Sequence, residues 1–298
     1  MTAPVEVRGD GSAAPAREFP FSAEHFRLIS ERVYGFSGIR LPEAKREMVY
    51  ARLARRLRSL GLASFDDYVR YLELEPAEWE HCTNALTTNV TSFYREEHHF
   101  RTLATHAQAR GGDAPYRVWS AGCSTGEEPY TIAMCLAQVI GDTGFEVLAT
   151  DLDTQVLATA RDGIYPLASV QKLAAEQQKR FFLRGSGRFD GRARVRPVLA
   201  SRVEFMRVNL MDREWPVPGG LDAIFCRNVM IYFDKQTQAR LIERFAALLK
   251  PQGLFFAGHA ESLLDNGRHF RLRGQTVYEL AGAAPGSHSA SQARAGKP

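Results

Sequence analysis

Between Val118 and Tyr130 the chain reads VWSAGCSTGEEPY: an apolar strand, a loop of small residues, then a helix with Pro129 in its first turn. Glycine at 122 and 126 lets the backbone turn sharply and lets a ligand come close to it. A dinucleotide site would want GxGxxG, so that phosphate can sit on the helix N-terminus. This loop departs from that pattern and puts Glu127 and Glu128 where a pyrophosphate would lie, which would repel it. Two carboxylates suit a cationic or zwitterionic ligand better, and S-adenosylmethionine carries a sulfonium and an ammonium group. The second strand ends in ATDLD, with Asp151 lying 25 residues beyond Gly126. An acid at that tip can hydrogen-bond both ribose hydroxyls. Dinucleotide and S-adenosylmethionine sites share this feature, so it specifies fold more than ligand. The plainer alternative, in which Gly122, Gly126 and Asp151 only shape turns, has the order of loop and acid against it.

The text around the loop alternates strand and helix. Apolar runs at Arg117–Ser120, Phe145–Thr150, Val203–Val208, Leu221–Phe225 and Leu254–Ala257 read as strands. Glu128–Ile140, Thr154–Arg161 and Gln236–Leu249 read as helices. The alternation predicts an α/β fold with a parallel, doubly wound, Rossmann-like sheet. Residues 183–202, with two Gly turns and short alternating runs, predict a small antiparallel β insertion. Ahead of the sheet, from about Phe19 to Leu86, everything reads as helix. Ser22 caps a first helix that runs toward Tyr34 and stops at Gly35. Pro42 opens a second and Gly61 ends it, with Val49, Leu53, Leu57 and Leu60 on its apolar face. Ser64–Asp67 resembles a capping box for a third helix ending near Pro76, and a fourth runs to about Leu86.

The domain plan is therefore a tail at 1–17, an all-α N-terminal domain at 18–86, a linker at 87–97, a sheet domain at 98–282 and a tail at 283–298. Both tails are small, polar and Pro/Gly-containing, and are expected to be disordered. A length of 298 residues with 45% hydrophobic content leaves room for two domains. No apolar run approaches the ~20 residues that span a bilayer, and the start has no apolar secretory core. A cytoplasmic protein is expected, with Cys82, Cys123, Cys135 and Cys226 as reduced thiols lacking CxxC spacing.

Four further strings carry a family resemblance: TTNVTSFYRE at 87–96, CRNVMIYF at 226–233, FAGHAES at 256–262 and RGQTVY at 273–278. With GCSTGEEPY they resemble the chemotaxis receptor methyltransferases (the CheR family), in order from about Phe19 to Leu280. The resemblance implies a protein-glutamate O-methyltransferase that uses S-adenosyl-L-methionine, releases S-adenosyl-L-homocysteine and needs no metal. It implies as partner the cytoplasmic helical bundle of chemotaxis receptors, with no nucleic acid and no membrane insertion, for a monomeric enzyme. Asn89, Thr91 and Arg95 match the family's TNxTxFFRE motif, which contacts the cofactor and reaches the methyl-transfer site. Tyr94 stands where the motif has its second Phe. Glu128 and Asp151 match contacts to the amino-acid end and the ribose, and Asn209 and Leu210 match adenine-side contacts. Arg227, Asn228 and Tyr232 match the active-site floor. Arg95 and Tyr232 are the expected catalytic pair, and Gly122 joins the cofactor-binding set. The insertion resembles the family's β-subdomain, which in some members holds a receptor's C-terminal peptide.

Plainer roles compete for several residues. Arg95 could pair with Glu96 or Glu97, Tyr232 could be a core aromatic, and Asn228 could cap a loop. One N-terminal helix concentrates Lys45, Arg46, Arg52, Arg55, Arg56 and Arg58 within a net charge of +4. Alone this reads as a solvated face; with the resemblance, Arg52, Arg55 and Arg56 become a docking surface for acidic receptor helices. A nucleic-acid methyltransferase would need aromatic platforms or a recognition motif, and neither is evident. A non-catalytic cofactor-binding module is the other competing reading. His98 and His99 are adjacent on a helix, so their side chains diverge by ~100°. No third ligand is expected at metal spacing, and both are read as structural.

Overall fold

The computed structural model describes residues 17–261 and 268–282. Apart from Arg17, both tails lie outside the described residues, as does Ser262 of the FAGHAES string. The chain divides into two compact units. Leu41–Leu86 with the described residues before Tyr34 form the first; Tyr34–Arg40 with the described residues from Thr87 onward form the second.

The first unit is helical. Helix α1 (Ala23–Ser37) runs through Gly35 rather than stopping there. A glycine inside a helix costs only ~1 kcal/mol relative to Ala and need not end it. The break comes at Gly38, whose φ is +72°. A short 3-10 turn after Pro42 leads into α2 (Arg46–Leu60), closed by Gly61 in the left-handed conformation. Val49, Leu53 and Leu57 are buried, as their spacing requires. Ser64 caps α3 (Phe65–Leu74) by accepting from the Asp67 N–H at 3.1 Å, and α4 (Glu78–Leu86) follows.

The basic helix is less free than its sequence suggests. Arg56 grips both oxygens of Glu78 at 2.7 and 2.6 Å, and the Glu78 side chain is only 2% exposed. Arg58 pairs with Glu18, and Arg46 with Glu43. Arg52 donates to the Ala85 carbonyl at 3.3 Å. Arg55 is exposed. Of the three expected docking residues, Arg56 is thus committed to holding α2 on α4.

The second unit begins with α5 (His98–Arg110), β1 (Tyr116–Ala121), α6 (Glu127–Ile140), β2 (Phe145–Asp151) and α7 (Thr154–Asp162). A small antiparallel sheet follows, of β3 (Ile164–Pro166), β4 (Phe182–Arg184) and β5 (Arg192–Val195) in the order β3-β5-β4. The short helices α8 (Leu167–Val170), α9 (Ala175–Phe181) and α10 (Pro197–Ala200) accompany it. The chain then returns as β6 (Val203–Arg207), β7 (Leu221–Cys226), α11 (Lys235–Leu248), β8 (Leu249–Ala257), β9 (Phe270–Gly274) and β10 (Val277–Leu280). The main sheet has seven strands in the order β6-β2-β1-β7-β8-β10-β9. Its first five strands are parallel; β10 runs antiparallel to β8 and to β9.

The parallel strands are buried on both faces, so their residues alternate between two cores. Val118, Phe225 and Phe256 face one core, while Trp119, Ile224 and Phe255 face the other. Two features differ from expectation. The insertion begins at β3, right after Gly163, not at 183; a strand of three residues is too short to show a period. The β9–β10 hairpin carries no turn signal in the sequence, because its turn is made by Gln275 and Thr276 at φ +46° and +62° rather than by Asn-Gly.

Candidate active site

Strand β1 pairs with β2 on one side and β7 on the other, and the chain proceeds outward in both directions from there. The carboxyl ends of β1 and β7 therefore flank the switch point where open α/β sheets bind ligands. The loop after β1, the end of β2, the segment after β6 and the CRN string after β7 all lie at this edge.

The glycines of the loop after β1 are fixed by the protein's own packing. Gly122 sits at φ +88°, and a Cβ there would meet Val229 Cγ2 at 2.4 Å. Gly126, at φ +97°, would meet the Tyr165 hydroxyl at 2.7 Å and Ala160 Cβ at 2.9 Å. Both positions exclude any side chain on steric grounds as well as conformational ones. Asp151 closes β2 and accepts the N–H of Ser124 at 2.8 Å and of Asp153 at 3.0 Å. Burial pushes its carboxyl up to about 6, against the pull of those N–H groups.

Asn89 donates to Asp153 at 2.8 Å, and its carbonyl accepts from the Ser124 hydroxyl at 2.9 Å, which ties the TNVTSFYRE string to the loop. Asp153 itself is buried and caps α7 through the Gln155 and Val156 N–H groups. Thr91 is half-buried between Asn89 and Arg95. Arg95 donates to the Val90 carbonyl at 2.9 Å. Among the described residues its guanidinium forms no ion pair: Glu96 is taken by Arg227 and Glu97 by Arg101.

Arg227 is the electrostatic centre of the floor. Its side chain is 2% exposed and lies 3.0 Å from Glu128 and 3.3 Å from Glu96, and it donates to the Arg95 carbonyl. Its guanidinium is thus engaged by protein groups. Glu128 also accepts from Ser120 at 2.8 Å. Burial raises the Glu128 carboxyl above the usual range, with Arg227 and Ser120 opposing the rise. Asn209 spends its side chain on the backbone, donating to the Phe36 carbonyl at 2.7 Å and accepting from Met211 N–H at 3.0 Å. Leu210 is buried in the core beside it. Asn228 adopts φ +59°, and Tyr232 is half-buried at the end of a 3-10 turn, not a core aromatic.

Glu96, Ser120 and Asp153 join the site without having stood out in the sequence. An Asp just before a helix start is a cap signal that could have marked Asp153. Glu96 closes the TTNVTSFYRE string, but its partner Arg227 is remote in the chain, and nothing in the sequence marks Ser120 as the partner of Glu128. The histidine pair also needs correction: donor atoms of Glu96, His98 and His99 lie within 4.8 Å of one another. These groups are already engaged, since Arg227 holds Glu96 and both Nε2 atoms lie 3.1 Å from the Gln275 carbonyl. The four cysteines are free and buried.

The donor set fits S-adenosylmethionine. Asp151 stands where ribose hydroxyls can donate, Glu127 and Glu128 open α6 where an ammonium can sit, and the Arg227 guanidinium is outnumbered by its two carboxylates, Glu96 and Glu128, which suits a cationic ligand. No arginine or lysine is directed to a phosphate by this loop.

The sequence matches the family described as CheR methyltransferase, SAM binding domain, over residues 89–279, and CheR methyltransferase, all-alpha domain, over residues 24–87. The chemotaxis protein methyltransferase of Klebsiella aerogenes is 52% identical over 286 residues, covering 94% of this chain and 98% of that one. The Escherichia coli chemotaxis protein methyltransferase is 52% identical over 264 residues, covering 87% and 92%. Chemotaxis protein methyltransferase 2 of Pseudomonas aeruginosa is 50% identical over 268 residues, covering 89% and 96%. The resemblance read from five short strings thus extends over both domains and nearly the full length of each relative, and the chain belongs to the CheR family of chemotaxis methyltransferases, which depend on S-adenosylmethionine.

Proposed function

We propose that this protein esterifies glutamate side chains of chemotaxis receptors in the cytoplasm, giving glutamate 5-O-methyl ester and S-adenosylhomocysteine during sensory adaptation. The observation that carries this reading is Arg95, whose guanidinium makes no ion pair among the described residues, in a segment that Asn89 ties to the loop after β1, while the nearby Arg227 is held by Glu96 and Glu128. A free guanidinium there can receive a substrate carboxylate.

When bound, the cofactor supplies an electrophilic methyl group on a sulfonium. The substrate glutamate is already ionised at neutral pH, with a reference pKa of ~4.3, so the chain need supply no strong base. Asp151 and Glu128 would hold the cofactor's ribose and ammonium. Arg95 grips one oxygen of the substrate carboxylate and leaves the other to react, and Tyr232 adds a hydrogen bond. Such positioning can contribute up to ~7–11 kcal/mol in well-aligned systems. Each transfer removes one negative charge from a receptor helix, where like charges at helical spacing repel by a few tenths of a kcal/mol.

Two surfaces support a receptor as partner. Arg55, and Arg52 beside it, present positive charge on α2 to acidic helices. The small sheet leaves β3 and β4 as edges to which the backbone of a receptor's C-terminal peptide can add. No helix among the described residues is long and apolar enough to cross a membrane.

The test uses methyl-labelled S-adenosylmethionine and a receptor cytoplasmic fragment, with Arg95→Ala alongside. Label released as methanol by mild alkali from the wild type, and lost in Arg95→Ala, is the expected result. Alkali-stable label would move the acceptor away from a carboxylate and overturn the reading. Full turnover by Arg95→Ala would remove the orienting role.

A further inference from the structure

A carboxylate outside the set described so far organises the loop that carries Asn228 and Tyr232. Glu261 follows β8, is 5% exposed, and forms no salt bridge among the described residues. Its Oε2 accepts the Asn228 N–H at 2.8 Å and the Gly258 N–H at 2.6 Å, and its Oε1 accepts the Ile231 N–H at 3.2 Å. A buried carboxylate without a cation is expensive unless donors surround it. Here the donors are backbone groups from both sides of the loop, so the charge and the loop conformation stabilise each other. The fit extends to the residue before the turn: a Cβ on Gly258 would lie 2.7 Å from the Asn228 nitrogen and 2.8 Å from Glu261 Oε2.

We propose that Glu261 is a positioning residue for methyl transfer, whose carboxylate fixes the backbone of residues 228–231 and so aims Asn228 and Tyr232 at the carboxyl edge of β7. Asn228 sits at φ +59°, a left-handed conformation that Asn tolerates better than most residues, and its N–H bond to Glu261 holds it there. The three-residue 3-10 turn Met230–Tyr232 cannot rigidify itself, since its own backbone bonds are few. The inference about Tyr232 rests on the glutamate-esterification reading, whereas that about Asn228 rests only on cofactor binding.

The test is calorimetric binding of S-adenosylhomocysteine to the full chain, with no receptor present, for wild type, Glu261→Gln, Asn228→Ala and the double variant. Gln keeps the size of Glu261 but turns an amide donor toward backbone N–H groups. Each single variant is expected to bind about tenfold more weakly, and the double variant also about tenfold rather than about a hundredfold, because both changes act through one contact. Amide hydrogen exchange is expected to rise in the 226–233 peptide of Glu261→Gln and to stay unchanged in β1 and β2. Affinity within twofold of wild type, losses that multiply, or faster exchange throughout the sheet would each overturn the proposal. Gly258→Ala crowds the same backbone while leaving the carboxylate in place, so it serves as the deciding variant if Glu261→Gln fails to fold. It should lose affinity to the same degree, and undiminished binding would overturn the proposal. Methyl transfer to a receptor fragment, run in parallel, should fall further than affinity does. Alkali-stable label there would sink the glutamate reading and leave the binding arm standing.

Discussion

Burial pushes the Asp151 carboxyl up to about 6, and the N–H groups of Asp153 and Ser124 only moderate the rise. In the proposed role Asp151 accepts from the ribose hydroxyls, so the ionised form is the one expected to bind cofactor. Affinity for S-adenosylhomocysteine should hold steady above about pH 6 and fall as pH drops below it, approaching about tenfold per unit. Asp151→Asn should bind weakly and show little of this slope, a contrast that calorimetry across that window checks. The same shift has the opposite effect on stability without cofactor. An acid with a raised folded-state pKa binds its proton more tightly in the folded chain, so its contribution is present below ~3.9 and lost as pH rises through the folded value. Gly122, Glu128 and Asp151 were legible in the sequence because a strand, a loop and a helix follow one another there. The roles of Glu96 and Glu261 were not, because partners remote in the chain define them: Arg227 for the first, Asn228 and Ile231 for the second.

Among the elements, α2 separates two kinds of arginine that look alike in the sequence. Arg56 is locked to buried Glu78, which the Tyr68 hydroxyl also contacts at 3.1 Å. Arg56→Ala should lower the unfolding free energy by about 2–3 kcal/mol, since it strands a buried carboxylate. Arg55→Ala should stay within about 0.5 kcal/mol of wild type and weaken receptor association instead. Urea denaturation beside receptor binding distinguishes them. The charge pattern alone could not, because Glu78 lies 22 residues from Arg56. The β9–β10 hairpin was hidden for a related reason. Its turn residues have no intrinsic preference for positive φ, and the turn is held from outside by His99, whose Nε2 lies 3.1 Å from the Gln275 carbonyl and 3.0 Å from the Thr276 hydroxyl. The other long helices carried clear periods and the buried parallel strands showed as continuous apolar runs, but α5 was not among the helices expected and β8 begins at Leu249, ahead of the expected Leu254.

Across the whole molecule, the proposed docking through α2 would use a net charge of +4 and exposed Arg55 to favour encounter with an acidic receptor surface. Raising NaCl from ~50 mM to ~500 mM shortens the Debye length several-fold, so kcat/KM for a receptor fragment should fall while kcat stays the same. A salt-independent kcat/KM in steady-state assays would show that charge does not steer docking. The small sheet has a different relation to the rest. The Tyr165 hydroxyl on β3 donates to the Thr125 carbonyl in the cofactor loop at 2.8 Å. Phe93, from the TNVTSFYRE string, meets Tyr165 edge-on at 5.0 Å between ring centroids and Phe182 at 5.5 Å. Gln177 on α9 donates to the Tyr94 hydroxyl at 2.8 Å. The insertion is therefore not a removable appendage. Cutting it out to ask whether it tethers a receptor would also unpin the loop that holds cofactor, and a lost tether and a damaged catalyst would look the same. The same stitching bears on inheritance: both edge strands of this sheet are held, β3 through Tyr165 and β4 through Phe182, so in a descendant Tyr165, Phe182, Gly126 and Phe93 would have to change together or not at all.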